Sequence, residues 1–136
     1  MANEAVMIQQ LEERLLEVTM ADGSSGTNIL KGTILKLSDA NLAAASSADG
    51  NIFGGILSVD NVGGDGQTRY AVWTRGVFDC TLTNATVVVG DLLNIQGTNL
   101  LAKANVTTLP DFSEMMGSAL QDGGTNEVIE VFINKR

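Results

Sequence analysis

The chain has 136 residues, enough for one domain with its own core, and its net charge of −8 comes from 16 acidic and 8 basic side chains. Such a surplus of carboxylates is repelled by phosphate backbones and by anionic lipids, so neither nucleic acid nor a membrane is an expected partner. Histidine is absent, which removes the commonest general base and the commonest transition-metal ligand. The single cysteine, Cys80, excludes an internal disulfide. We therefore expect a protein that is not an enzyme and that binds no cofactor or metal.

The first segment of the chain has the spacing of a short amphipathic helix. Apolar residues recur at intervals of three and four, good helix formers lie between them, and the pattern predicts a helix over residues 4–16. Residues 16–20 alternate instead, which favours a strand after the helix. Glu4 stands where a secretory signal carries basic residues, and no apolar run is long enough to span a bilayer, so synthesis in the cytoplasm is expected.

A Gly/Ser-rich stretch follows this segment and has the composition of a flexible hinge. The sequence thus predicts an N-terminal arm with its hinge at residues 1–28 and a folded domain at residues 29–136. The apolar stripe of the arm packs either on the protein's own core or on a partner or sister subunit. In the second interpretation, the contact residues are Val6, Ile8, Leu11, Leu15 and Leu16.

After residue 28 the pattern predicts a small all-β domain, a barrel or a sandwich. Short apolar or alternating runs are separated by turns rich in Gly, Asn and Asp, which is typical of such folds. Pro110, followed by Asp111, predicts one short helical turn near residues 111–116. The predicted strand runs are Ile29–Leu37, Ile52–Val59, Arg69–Trp73, Val77–Leu82, Val87–Ile95, Met115–Leu120 and Glu127–Ile133.

An internal repeat is visible within this region. Similar segments recur at offsets of 58 to 63 residues, and each half reads as a strand, a loop of small residues, a Gly-containing strand, a Gly-Gly turn and an alternating strand. We interpret this as two similar halves related by a pseudo-twofold axis and closing over one core, with residues 74–89 between them. The matched segments are 32–35 with 90–93, 41–42 with 99–100, 53–57 with 116–120, 63–64 with 123–124, and 70–73 with 129–132.

Patterns that suggest catalysis or ligand binding have simpler explanations. Gly63–Gly66 lacks the Lys-Ser/Thr pair of a phosphate loop and favours a hairpin turn. The carboxylates of Asp111 and Glu114 resemble a hydrolase pair, but aromatic residues make up only 4 % of the chain and supply no substrate cleft. Cys80 falls in an alternating run, where a buried thiol acts as a small apolar side chain.

Six Gly-flanked β segments follow one another in a characteristic order between residues 29 and 134. They are Lys31–Leu37, Ile52–Leu57, Trp73–Cys80, Val89–Leu93, Met116–Leu120 and Val128–Asn134. In order and spacing they resemble the capsid decoration, or cement, proteins of tailed phages, among them the head-decoration proteins of lambda-like phages. No single segment is diagnostic; the likeness lies in the whole series.

This resemblance implies a compact barrel-like domain of the kind called a β-tulip. Members of the family form homotrimers on the outside of expanded icosahedral heads, at threefold and quasi-threefold positions. There they bind the major capsid protein and stabilise the shell against the pressure of packaged DNA. For this chain the resemblance implies a structural role on the virion exterior after assembly in the host cytoplasm. Family arms are often extended until bound, whereas residues 4–16 have a helical pattern here.

A second hypothesis is a trimeric virion spike or a module that binds a host surface or a glycan. Sugar-binding adhesins present aromatic platforms, and the candidates in this sequence are Tyr70 and Trp73. Exposure of both rings would favour this alternative, and their burial would weaken it.

Overall fold

The computed structural model describes residues 4–9, 15–20, 28–39, 42–49, 51–62, 68–83, 86–104 and 115–134. Within these ranges every regular element is a β-strand, which confirms the predicted all-β class. The strands are β1 (Val6–Gln9), β2 (Leu15–Met20), β3 (Ile34–Asp39), β4 (Leu42–Ala45), β5 (Phe53–Leu57), β6 (Arg69–Trp73), β7 (Arg75–Leu82), β8 (Leu92–Gly97), β9 (Leu100–Lys103), β10 (Met115–Ala119) and β11 (Val128–Asn134).

Five of these strands close the first barrel, in the order β2-β4-β3-β5-β6. The pairing of β2 with β4 is parallel, and the other pairings are antiparallel. Alternate side chains point inward, as the period of a strand requires. They form an interior cluster of Met20, Ile29, Leu35, Ala43, Leu57, Tyr70 and Val72.

The second sheet has the strand order β1-β7-β11-β10-β8-β9, and β7 also pairs with β9. This extra pairing is parallel, and it closes β7, β11, β10, β8 and β9 into a circuit with the same connections as the first barrel. Closure removes free strand edges, which otherwise promote aggregation. The additional strand, β1, lies antiparallel against β7.

The two circuits match residue by residue. Leu35 pairs with Ala45 in the first, and Leu93 pairs with Lys103 in the second, 58 residues later at both positions. The irregularity near the end of β3 also recurs at the end of β8, again with an offset of 58. Corresponding offsets are 62 residues for β2 and β5 and 59 for β6. The predicted repeat is therefore confirmed.

The structure corrects three details of that repeat. Each half closes its own barrel, so the halves do not share a single core. The segment at residues 74–89 does not lie between the halves, because β7 is the second counterpart of β2. Residues 53–57 match 115–119 rather than 116–120, since Gly55 and Gly117 occupy the same register position.

The barrel interiors show why the duplicated pattern is retained. Each of the seven interior residues of the first barrel has a buried apolar counterpart at the equivalent position of the second. In the same order, these are Leu82, Val87, Leu93, Leu101, Ala119, Ile129 and Val131. Burying such side chains is worth roughly 1.5–3 kcal/mol each, so the interior pattern carries much of the stability.

The predicted N-terminal helix over residues 4–16 is wrong where the structure describes it. Residues 6–9 form β1, and residues 15 and 16 begin β2. An isolated helix of this length is marginal in water, and the pairing of β2 with β6 and β4 provides a complete hydrogen-bonded ladder instead. Part of the predicted arm thus supplies one of the five barrel strands. Leu11 lies outside the described residues.

The predicted helical turn near residues 111–116 is wrong at its C-terminal end. Met115 and Met116 begin β10, where Met115 pairs with Asn94. Residues 111–114 lie outside the described residues.

Candidate docking surface

The N-terminal segment lies at the junction of the two barrels. The Ala5 amide donates a hydrogen bond to the Gly32 carbonyl of the first barrel at 2.6 Å, and Ala5 is buried. One residue further on, Val6 pairs with Asp79 on β7 of the second barrel. Residues 4–9 therefore connect the barrels through backbone hydrogen bonds.

One outward-facing row of the first barrel is buried although it points away from that barrel's interior. Ile34 pairs with Ile56, and Ile56 pairs with Trp73, while their sequence neighbours point inward. Ile34 and Ile56 have no exposed surface. Both belong to the apolar cluster that contains the core of the second barrel, and Trp73 packs against it. The Trp73 and Phe78 rings lie 5.8 Å apart. The second barrel thus covers this row.

Polar contacts fix the position of the β8–β9 turn against the first barrel. The buried Asn99 has φ +56°, a left-handed conformation that Asn tolerates better than most residues. Its side-chain oxygen accepts a hydrogen bond from the Ile34 amide at 2.8 Å, and its own amide donates to the Ser46 hydroxyl at 3.1 Å. The same hydroxyl donates to the Gly97 carbonyl at 3.1 Å. The Asn99 amide group also donates to Glu4 at 3.1 Å.

The equivalent row of the second barrel is open. It consists of Leu92, Ser118 and Phe132, which pair across β8, β10 and β11 as the covered row does across β3, β5 and β6. Leu92 is 39 % exposed, and the other two are half-buried. At Gly90, beside this row, an added Cβ would meet no described atom within 4 Å, whereas at Gly32 it would overlap Ala5.

Exposed apolar side chains surround this open row. Val89 replaces Lys31, Leu120 replaces Ser58, and Val128 replaces Arg69 at equivalent positions of the two barrels. The backbone joins two of these positions, since the Gly90 amide donates to the Ala119 carbonyl at 2.9 Å. Contiguous apolar surface of this kind marks an interaction site more often than chance exposure does. Sequence reasoning missed this surface, although the replacements are visible once the repeat is aligned in the correct register.

The five contact residues predicted from the sequence fall on different parts of the fold. Val6 is 56 % exposed on β1, and Ile8 lies on the same strand. Leu15 and Leu16 lie on β2, paired with Trp73 and Val72. The contact role of these residues stays a prediction.

The described residues offer little for catalysis or ligand binding. They contain no group of three or more His, Cys, Asp or Glu side chains placed to hold a metal ion. Burial raises the pKa of the Cys80 thiol to about 12, and the neighbouring Asp79 carboxylate raises it further, so this thiol stays neutral and unreactive at ordinary pH. No helix in the described ranges is long and apolar enough to cross a membrane.

The two aromatic candidates for sugar binding are not presented as a platform. Tyr70 is buried, and its hydroxyl donates to the Asn61 side chain at 2.9 Å. Trp73 is partly buried between the barrels, with the Lys31 ammonium 5.6 Å from its ring centroid.

Comparison with known proteins gives one informative likeness. Among solved structures, the chain is similar to the N base of the head fiber gp8.5 in bacteriophage phi29. The match has a TM-score of 0.53 and 14 % sequence identity, and it covers 90 % of this chain and 94 % of that chain. No family model matches the sequence, and no curated protein matches it significantly. At this identity the likeness establishes a shared fold, and it extends over nearly the whole of both chains.

Proposed function

We propose that this chain is a structural protein of a tailed-phage head that binds the outside of the expanded capsid as a homotrimer. It would occupy threefold or quasi-threefold positions, contact the major capsid protein and stabilise the shell against the pressure of packaged DNA. The observation that carries the proposal is the similarity in fold to a phage head fiber base over 90 % of the chain. The resemblance of the β segments to decoration proteins supports the same class of role.

The physical properties of the surface are compatible with this role. A protein that strengthens a shell needs many repeated contacts rather than an active site, and several weak contacts per trimer combine into avidity. A protein that binds the expanded lattice but not the unexpanded one stabilises the expanded lattice by mass action. The net charge of −8 disfavours association with DNA and suits a position outside the shell.

Co-sedimentation with phage heads tests the proposal. Purified protein is mixed with expanded and with unexpanded heads, and bound protein is quantified after pelleting, with the mass of the free protein measured by light scattering. We expect a trimer that pellets with expanded heads only. A protein that ignores both kinds of head would overturn the proposal.

A matched pair of variants tests the predicted contact role of the N-terminal segment. Val6→Asp places a charge on β1, and Val59→Asp places the same charge on an exposed valine of the first barrel. We expect about a tenfold loss of head binding for the first variant, which corresponds to about 1.4 kcal/mol, and little change for the second. Equal binding by both would remove β1 from the capsid contact.

A second candidate is the base of a protruding spike, favoured because the structural neighbour is described as the base of a head fiber. Electron microscopy of heads decorated with the full gene product discriminates the two roles. Density limited to the two barrels favours a cement protein, and density that continues outward favours a spike.

A further inference from the structure

We infer that a second copy of this chain covers the open row of the second barrel by repeating the contact that the second barrel makes with the first. The open row is Leu92, Ser118 and Phe132. The surface that would cover it is the β3–β4 end of the first barrel of another copy, which corresponds to the β8–β9 end in the second barrel.

The contact between the barrels within one chain provides the template. Because the two barrels share their pairing register, the backbone around Leu92 has the same arrangement as the backbone around Ile34. Ile34 is fully buried by the second barrel, whereas Leu92 is 39 % exposed. The row on which Leu92 lies is therefore shaped like a surface that this fold is already seen to cover.

The complementary surface is also uncovered on the first barrel. In the second barrel, the end of β8 contacts the first barrel through Gly97, and Ile95 is fully buried there. The equivalent residues of the first barrel, Asp39 and Leu37, are both exposed. Beside Leu37 lies the exposed Ile52, whose carbonyl accepts a hydrogen bond from the Leu37 amide at 2.9 Å. Each chain thus has one open row and one open β3–β4 end.

A contact between two different surfaces is heterologous, so it repeats from copy to copy until it closes a ring. Closure after three copies would give six barrels in a ring, and this number rests on the proposed trimer. The contact itself does not depend on a role in phage heads. A role for the same row in binding the capsid protein is the competing outcome, and the experiments below separate the two.

Cross-linking between single-cysteine variants tests the direction of the contact. The native Cys80 is buried, so introduced thiols react selectively. Asp39→Cys and Leu92→Cys proteins are treated with a short bis-maleimide, separately and as a mixture. We expect linked dimers in the mixture and none in either protein alone. Linkage of Leu92→Cys with itself indicates a face-to-face contact and overturns the inference, as does the absence of linkage in the mixture.

Charge substitutions in the row test its contribution to assembly. Leu92→Glu and Ser118→Lys each place a charge in the row, and Val59→Glu is the control because it lies at the opposite end of the first barrel from Asp39. By light scattering with circular dichroism as the folding check, we expect at least a tenfold weaker self-association for the first two. Unchanged assembly by both, or a monomeric wild type at high concentration, overturns the inference.

Head binding by the same variants separates this inference from the proposed function. Weakened assembly in variants of a wild type that fails to bind heads removes the phage role and leaves the contact between copies in place. Unchanged assembly with lost head binding assigns the row to the capsid protein and overturns the inference.

Discussion

The two barrels share their strand order, register and interior, but they differ on their outer surfaces. The row that contains Ile34 is covered, and the row that contains Leu92 is open. On the side of the Gly turns, Lys31 of the first barrel is replaced by Val89 of the second. The interior is under the same packing constraint in both halves, whereas each outer surface depends on what lies against it. The surface differences between equivalent positions are therefore the most direct guide to function in this chain.

The strongest break in the equivalence is expected from removing β2. A chain lacking residues 1–20 loses a strand that pairs with both β6 and β4, which opens the first barrel and exposes its interior. We expect loss of the cooperative unfolding transition, measured by circular dichroism in urea. A chain lacking residues 1–9 retains β2 and should unfold cooperatively with a lower midpoint. Cooperative unfolding of the shorter chain would show that residues 1–20 are a separable arm, as the sequence alone suggested.

The fate of this segment shows what the sequence could predict about the fold. The strands after residue 28 were predictable because their alternation and their Gly, Asn and Asp turns agree with each other. Residues 4–16 carry a helical spacing of apolar residues, but this spacing reports local preference only. The partners of β2 lie more than 20 residues away on β4 and about 50 away on β6, and no local pattern specifies such pairing.

The next largest effect is expected from exchanging residue types between the two outer rows. Ile56→Ser removes a fully buried side chain between the barrels and should lower the free energy of unfolding by about 3–5 kcal/mol. Ser118→Ile, at the equivalent position of the open row, should change it by less than about 1 kcal/mol. Urea unfolding at low protein concentration measures both. Similar costs for the two variants would mean that the rows are equally covered.

The location of the site was less predictable than the fold. The repeat was visible in the sequence, but a shift of one residue in the match of 53–57 placed Ile56 opposite Ala119 instead of Ser118. Even in the correct register, nothing in the sequence states which outer row the other barrel covers. That depends on the direct connection between β6 and β7 and on contacts such as those of Asn99, which join distant residues.

A smaller difference is expected between the two glycines at the start of each half. Gly32 and Gly90 have φ angles of +91° and +92°, so alanine at either position carries a similar backbone strain of about 1–2 kcal/mol. Gly32→Ala must in addition displace the backbone of Ala5, whereas Gly90→Ala meets open space. We expect Gly32→Ala to be the more destabilising by at least about 1 kcal/mol in urea unfolding. In a chain lacking residues 1–9 this difference should vanish, and its persistence would contradict the assigned role of the N-terminal segment.

The smallest effect concerns Cys80, whose equivalent in the first barrel is Val18. Burial raises the pKa of the thiol from 9.0 to about 12, so the folded state holds a proton that the unfolded state releases above pH 9. The stability associated with the neutral thiol is fully present below pH 9 and is lost as the pH rises towards 12. Relative to Cys80→Val, the wild type should therefore lose about 1.4 kcal/mol of unfolding free energy per pH unit in this window. The comparison cancels the titration of lysine and tyrosine, which both proteins share. Parallel stability curves above pH 9 would show that the thiol reaches solvent, and the second barrel would then be less tightly closed than its register indicates.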